Sequence, residues 1–280
     1  MGFSLGNQTL RLYLVALVSV SNLKCVSTTP ASDSVVDRPQ FITASSQKLI
    51  RNSHKLYRQM ILSAQRAGSL DIDPQKKNQL DKIFNQLISQ VGNFRQDAKE
   101  WPWEIHLIES NEVNAFCFPG GQIIFYSGLI NSLQLTEDEI AAVLGHEIAH
   151  ALREHGRERF SHHEVNQSVS RTMFAVLAGI GAMDGTSAYT ASQEGARFMN
   201  RTIRKPFGVS QETEADLIGA EIMARSGYNP EAAISLWQKF SSSSKENPIQ
   251  WIESHPTHQK RIENLRNHLR NIKPLSSVSR

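Results

Sequence analysis

The sequence predicts a mainly helical α+β domain with a small antiparallel sheet. Three observations carry that expectation. Helical periodicity runs through residues 41–94 and again after residue 210. Three short β-rich segments lie between Trp101 and Tyr126, separated by turn residues. A capping box, Thr136-Glu137-Asp138-Glu139, then announces another helix. At 280 residues, 40% hydrophobic and 20% charged, the chain suits one good-sized domain with appendages.

In chain order, the first 32 residues contain no acidic side chain, and Arg11 precedes an apolar run from Leu12 to Val20. A bilayer-spanning helix needs about 20 apolar residues. The run therefore fits the core of a secretory leader or a retained N-terminal anchor, assigned to residues 1–25. Cys25 lies where a lipidated cysteine would stand, but Asn22-Leu23-Lys24 poorly matches the small residues required before it. Residues 26–38, rich in Ser, Thr, Pro and Asp, read as a flexible linker to a domain spanning 39–280.

Within that domain, one helix is expected from Phe41 to Ala67, closed by Gly68. A second opens at Asp73-Pro74, an N-cap followed by proline at the first helical position, and extends to Phe94. Leu80, Ile83, Phe84, Leu87 and Val91 mark its buried face. Strands follow at Trp101–Ser110, Val113–Phe118 and Gln122–Tyr126, broken by Asn111-Glu112 and Pro119-Gly120-Gly121. The capped helix runs from Glu137 to His155 and stops at Gly156, with Ile140, Val143 and Leu144 toward the core. Residues 157–209 are the least legible. Their apolar stretch Phe174–Met183 suits a core helix or a membrane-contacting lid. Further helices are expected after Ser210, Asn229-Pro230 and Pro256.

The capped helix carries His146-Glu147-Ile148-Ala149-His150, an HExxH motif. Two histidines one turn apart project from one face and can share a cation. The intervening glutamate can reach a water on that cation without binding it. The two cysteines, Cys25 and Cys117, form neither a zinc-finger spacing nor a disulfide framework, so a metal would be held by histidines and carboxylates. Zinc sites of this type need a third protein ligand and an open position. The pattern HExxHxxGxxH is ruled out, because Arg153 and Gly156 occupy its last two fixed positions. A glutamate on a later helix is the other solution. Gln211-Glu212-Thr213-Glu214-Ala215-Asp216 offers Glu212 and Asp216 on one helical face, with Glu214 turned toward solvent. Glu212 would bind the ion and Asp216 would orient a histidine. The competing explanation is a helix that places acids in its first turn to suit the dipole. His155, His162 and His163 have no spacing that demands a role. Cys117 reads as a small buried apolar residue. The net charge of +3 is thinly spread and no basic block with interleaved aromatics occurs, so nucleic acid is not an expected partner.

These motifs resemble the zinc metallopeptidases that include the bacterial beta-barrel assembly-enhancing protease, HtpX and the CAAX prenyl protease. The likeness rests on His146–His150 and Glu212-Thr213-Glu214-Ala215-Asp216, then Gly219 and Ser226-Gly227-Tyr228-Asn229-Pro230. Asn114-Ala115, Pro119–Gly121 and Gly128-Leu129 upstream belong to it, as do Ser254-His255-Pro256 and Arg261-Ile262 downstream. It covers about residues 70 to 270. The resemblance implies a zincin-like fold with one Zn2+ held by His146, His150 and Glu212. It implies Glu147 as general base, and His255 as a fourth ligand or oxyanion stabiliser. It further implies that Gln122, Ile123, Ile124, Phe125 and Tyr126 form an edge strand that binds polypeptide in extended form. Together with the leader, it implies an exported, periplasmic and possible membrane-associated endopeptidase acting on misfolded or misassembled envelope proteins. The alternative is a chaperone or assembly factor that holds extended segments on its edge strand, with zinc structural or masked.

Overall fold

The computed structural model describes residues 25–29, 36, 38–162, 207–243, 251–252, 255 and 259–272. The leader and most of the segment 157–209, including Phe174–Met183 and His163, lie outside the described residues, as do Ser254 and Pro256.

Two short strands, β1 (Cys25–Val26) and β2 (Gln40–Phe41), pair antiparallel. Helix α1 (Ser46–Arg66) starts at Ser45, whose hydroxyl accepts from the Lys48 N–H. Helix α2 (Pro74–Ile88) opens at the Asp73 cap and buries Leu80, Ile83, Phe84 and Leu87, as its pattern predicts. It ends at Ile88 instead of Phe94, and the chain continues as two 3₁₀ turns, Val91–Asn93 and Gln96–Glu100. Strands β3 (Glu104–Ile108), β4 (Ala115–Cys117) and β5 (Gln122–Tyr126) follow, then the short helix α3 (Ser127–Leu133).

The sheet corrects two expectations. Its order is β3-β5-β4, with β3 parallel and β4 antiparallel to β5, so it is mixed. Gln122–Tyr126 is the central strand, with every residue buried, and β4 is the edge on one side. The reason lies in the run Gln-Ile-Ile-Phe-Tyr, which is apolar on both faces. A strand covered on both faces reads as a continuous apolar run, whereas a half-solvated one alternates. Helix α1 covers one face through Tyr57, Met60 and Ile61 against Phe118, Ile124 and Tyr126.

Helix α4 (Glu137–Leu152) has the predicted capping box: Thr136 Oγ1 accepts from the Glu139 N–H and the Glu139 carboxylate accepts from the Thr136 N–H. From Glu139 onward all its residues are buried, so it is enclosed on all sides and not amphipathic. It stops three residues earlier than expected. Arg153 caps it, Glu154 takes a left-handed φ of 48°, and residues 155–162 form a new helical stretch that contains Gly156. Helix α5 (Val209–Arg225) lies along α4, and α6 (Ala232–Ser243) and α7 (Gln259–Ile272) pack outside the pair. The crossing of α4 and α5 is made by two glycines. A Cβ on Gly145 would sit 2.9 Å from the Gly219 carbonyl oxygen, and one on Gly219 would sit 2.8 Å from the Gly145 carbonyl carbon.

The segment expected to be a flexible linker is tied down where it is described. Thr29 and Val36 are buried, and Arg38 pairs with Glu158 and Glu214.

Candidate metal centre

The close α4–α5 approach brings His146 and His150 opposite Glu212. One donor atom from each of these residues and from His255 lies within 4.8 Å of the others, and all four side chains are buried. His150 Nε2 is 3.4 Å from Glu212 Oε1, and His146 Nε2 is 3.6 Å from Glu212 Oε2.

The outer partners set which imidazole nitrogen faces inward. His146 Nδ1 is 3.0 Å from Asp216 Oδ1. Burial alone would raise the Asp216 carboxyl, but Arg261 and His146 hold it below the usual carboxylate range. An ionised carboxylate only accepts, so His146 donates through Nδ1–H and its Nε2 is the nitrogen that faces inward. His150 is oriented by a longer relay. Glu214 Oε2, ionised because His155 and Arg38 outweigh its burial, accepts from His155 Nε2–H at 3.0 Å. Burial keeps His155 neutral, so its Nδ1 accepts from His150 Nδ1–H at 2.8 Å. The His150 Nε2 therefore carries a lone pair that faces inward.

Those two Nε2 atoms are only 3.0 Å apart. With both Nδ1 atoms engaged by outer partners, the two Nε2 atoms converge in a buried site. Glu212 Oε1 beside them is buried without a hydrogen-bond partner. Such a donor set, two imidazoles and a carboxylate converging in a buried pocket, is satisfied by a small cation. Burial lowers the His150 pKa well below the ordinary range, which favours the unprotonated form that a metal requires. In the metal-free chain burial pushes Glu212 up to about 7 against the pull of His146 and Arg261.

Glu147 sits beside this cluster. Its Oε1 accepts from the Trp251 indole N–H at 2.8 Å and its Oε2 accepts from the Cys117 backbone N–H at 3.2 Å. Burial raises its pKa, opposed by His146 and these two donors. Trp251 stacks on His255, with ring centroids 4.6 Å apart, and His255 Nε2 is 3.6 Å from Glu147 Oε1. Because Cys117 belongs to β4, the strand that reaches the site is the sheet edge and not Gln122–Tyr126.

Several residues were not expected here. Glu214 is buried and not solvent-facing, held by Arg153, His155 and Arg38. Arg261 is buried as well: its Nη1 lies 2.7 Å from Glu212 Oε2, and its Nε donates to Asp216 Oδ2 at 2.8 Å. It is a permanent cation that holds Asp216 ionised and pulls against the burial that raises Glu212. Arg261 stood in the downstream motif of the resemblance, but its role has no local signal. His155 and Trp251 are fixed by tertiary contacts alone. Cys117 is partly buried, and burial pushes its thiol pKa well up, so it is an inert thiol.

A match to Peptidase family M48 covers residues 74–269. The chain is 28% identical over 233 residues to the beta-barrel assembly-enhancing protease of Yersinia pestis, covering 79% of this chain and 44% of that protein. It is 30% identical over 188 residues to the mitochondrial metalloendopeptidase OMA1 of Schizosaccharomyces pombe, covering 66% of this chain and 51% of that protein. Against the beta-barrel assembly-enhancing protease of Escherichia coli K12 the identity is 27%, covering 70% of this chain and 41% of that protein. The chain thus spans about half the length, or less, of these relatives. The matched residues enclose both ligand helices, the sheet and Arg261, and the chain belongs to peptidase family M48.

Proposed function

We propose that the chain is a zinc-dependent metalloendopeptidase, with His146, His150 and Glu212 as ligands and Glu147 as general base. The observation that carries this reading is the pair of imidazole Nε2 atoms held 3.0 Å apart beside a buried Glu212 oxygen without a hydrogen-bond partner. Zinc held there supplies a Lewis acid that polarises a peptide carbonyl and acidifies the attacking water. Glu147 takes that water's proton on a carboxylate oxygen and delivers it to the leaving amine. Trp251 and the Cys117 N–H keep the carboxylate aimed, and burial raises its basicity toward that task. Asp216 and His155 hold the two imidazoles with Nε2 inward.

Polypeptide would bind in extended form along β4, Ala115–Cys117, whose outer edge pairs with no strand among the described residues. The name of the relatives called beta-barrel assembly-enhancing protease supports a protease that acts in assembly, and we extend that to misfolded or misassembled envelope proteins as substrates. His255, in the same cluster, is proposed as a fourth group that masks the resting site. Its replacement by alanine would then raise cleavage while zinc stays bound.

The test compares zinc content and casein cleavage in the wild type and in Glu147→Gln. Zinc in both, with cleavage reduced roughly 10²- to 10⁴-fold in the variant, is expected. Cleavage at the wild-type rate would remove Glu147 from the role. Glu212→Ala should lose stoichiometric zinc, and retention would dismiss the third ligand.

A further inference from the structure

Helix α1 has two chemically opposite faces. The inner face packs Tyr57 and Ala64 against the sheet. On the outward side stand Lys48, Arg51, Lys55 and Arg58, at three- and four-residue spacing, and Arg66 eight residues further on, all exposed; Lys48, Lys55 and Arg66 lie opposite Tyr57, and Arg51 and Arg58 toward its flank. At 1.5 Å per residue this stripe is about 27 Å long. No acidic residue occurs anywhere in the helix. None of these five cations has an acidic partner among the described residues, although other surface cations of the chain, such as Lys77 and Arg225, do. Two large apolar side chains also stand out. Leu62 lies within the stripe, and Leu56 lies on the other flank of the helix, each 50% exposed.

The charge asymmetry of the whole chain points the same way. Residues 1–70 hold eight Lys and Arg against two acidic side chains, whereas the whole chain is only +3, so residues 71–280 are net negative. Residues 259–280 are basic as well, with six Lys and Arg against one acidic side chain, so α1 belongs to one of two basic ends that flank an acidic middle of the sequence. The same N-terminal region carries the apolar run Leu12–Val20 ahead of α1, also without an acidic residue.

We propose that the outer face of α1 is a docking surface for an anionic phospholipid bilayer. A straight basic stripe suits a flat sheet of phosphate headgroups, and Leu62 within it can enter the boundary beneath them. The stripe lacks aromatic side chains for base stacking, which disfavours a single-stranded nucleic acid. Since the inner face of α1 covers the sheet that carries β4, the cleft is then held at a constant distance from the membrane. This surface is independent of the metal site.

The test uses the full chain in flotation with vesicles of phosphatidylcholine, alone or mixed with phosphatidylglycerol. Preferential binding to the mixed vesicles, weakened by salt, is expected. Each basic side chain near an anionic surface multiplies partitioning roughly fivefold, so Arg51→Gln/Lys55→Gln/Arg58→Gln should lose about 100-fold. The reversal to Glu at the same three positions should lose more. An unchanged thermal midpoint in the neutral triple variant shows that the fold is intact, and it keeps the test open if the reversal unfolds the chain. Equal binding of wild type to both vesicle types overturns the proposal. Undiminished binding of the neutral triple variant also overturns it and assigns the contact to Leu12–Val20. Capture of single-stranded RNA with no flotation would replace the bilayer by another polyanion.

Discussion

At His150 the direction of a lone pair is decided two side chains away, by Glu214. The Glu214 carboxylate fixes the proton of His155, which fixes the proton of His150, and only then does Nε2 face Glu212. Removing the middle of this relay leaves His150 free to rotate or to take the other tautomer. His155→Ala should therefore weaken zinc binding roughly 10- to 100-fold by chelator competition, while Glu147 and its donors stay in place. A zinc affinity equal to wild type would show that the relay merely fills space. Arg261 poses a different problem, since a buried guanidinium contacts two buried carboxylates. Breaking a buried pair costs about 3–5 kcal/mol, because it strands the remaining charges. Arg261→Met is accordingly expected to lower the unfolding midpoint of the zinc-free chain, measured by calorimetry.

Helices α4 and α5 form the unit that makes a metal site out of two separate motifs. Their axes approach closely only because Gly145 and Gly219 face each other. A methyl group at either position meets backbone, which cannot swing aside as a side chain can. Gly219→Ala should cost about 1–3 kcal/mol of stability and, by separating Glu212 from the histidines, weaken zinc binding as well. A stability loss without any change in zinc affinity would mean that the helices shear and keep the ligands together. The end of α4 matters in the same way. If the helix continued through His155, as the sequence predicts, the three histidines would stay on one rod. Instead the turn at Arg153-Glu154 redirects the chain, and His155 folds back against His150.

Taken as a whole, the molecule knits its N-terminal arm to the domain through buried charge. Arg38 makes two hydrogen bonds to Glu158, and Gln40 and Gln211 also donate to that carboxylate. Burial would raise Glu158, yet these donors hold it at about 2, against an ordinary 4.5. A depressed carboxylate contributes stability fully above its unfolded value and loses it as pH falls through the folded one. The chain should thus lose stability between pH 4.5 and 2, with Glu214 and Asp216 acting in the same direction. In the metal-free chain Glu212 works the other way between pH 4.5 and about 7, so the acid limb reads the depressed groups. Glu158→Gln should flatten that limb in urea titrations at successive pH values. A slope identical to wild type would place the acid sensitivity elsewhere.

Residues alone determined the elements whose signals are local. The Asp73-Pro74 start, the capping box at Thr136 and the central run Gln122–Tyr126 are each written in a few consecutive side chains, and each occurs where expected. The HExxH spacing put two imidazoles on one face, and the later acidic helix held both Glu212 and Asp216. Tertiary structure decided everything that depends on which surfaces meet. It made Gln122–Tyr126 central, because strand order is set by pairing across a sheet and not by periodicity along one strand. It buried Glu214, because Arg153, His155 and Arg38 come from three distant stretches of chain to meet it. It recruited Arg261 and Trp251, whose partners lie 45 and 104 residues away. Local patterns encode hydrogen bonds and faces within an element, whereas the metal centre is assembled from charges that only the packed core brings within reach.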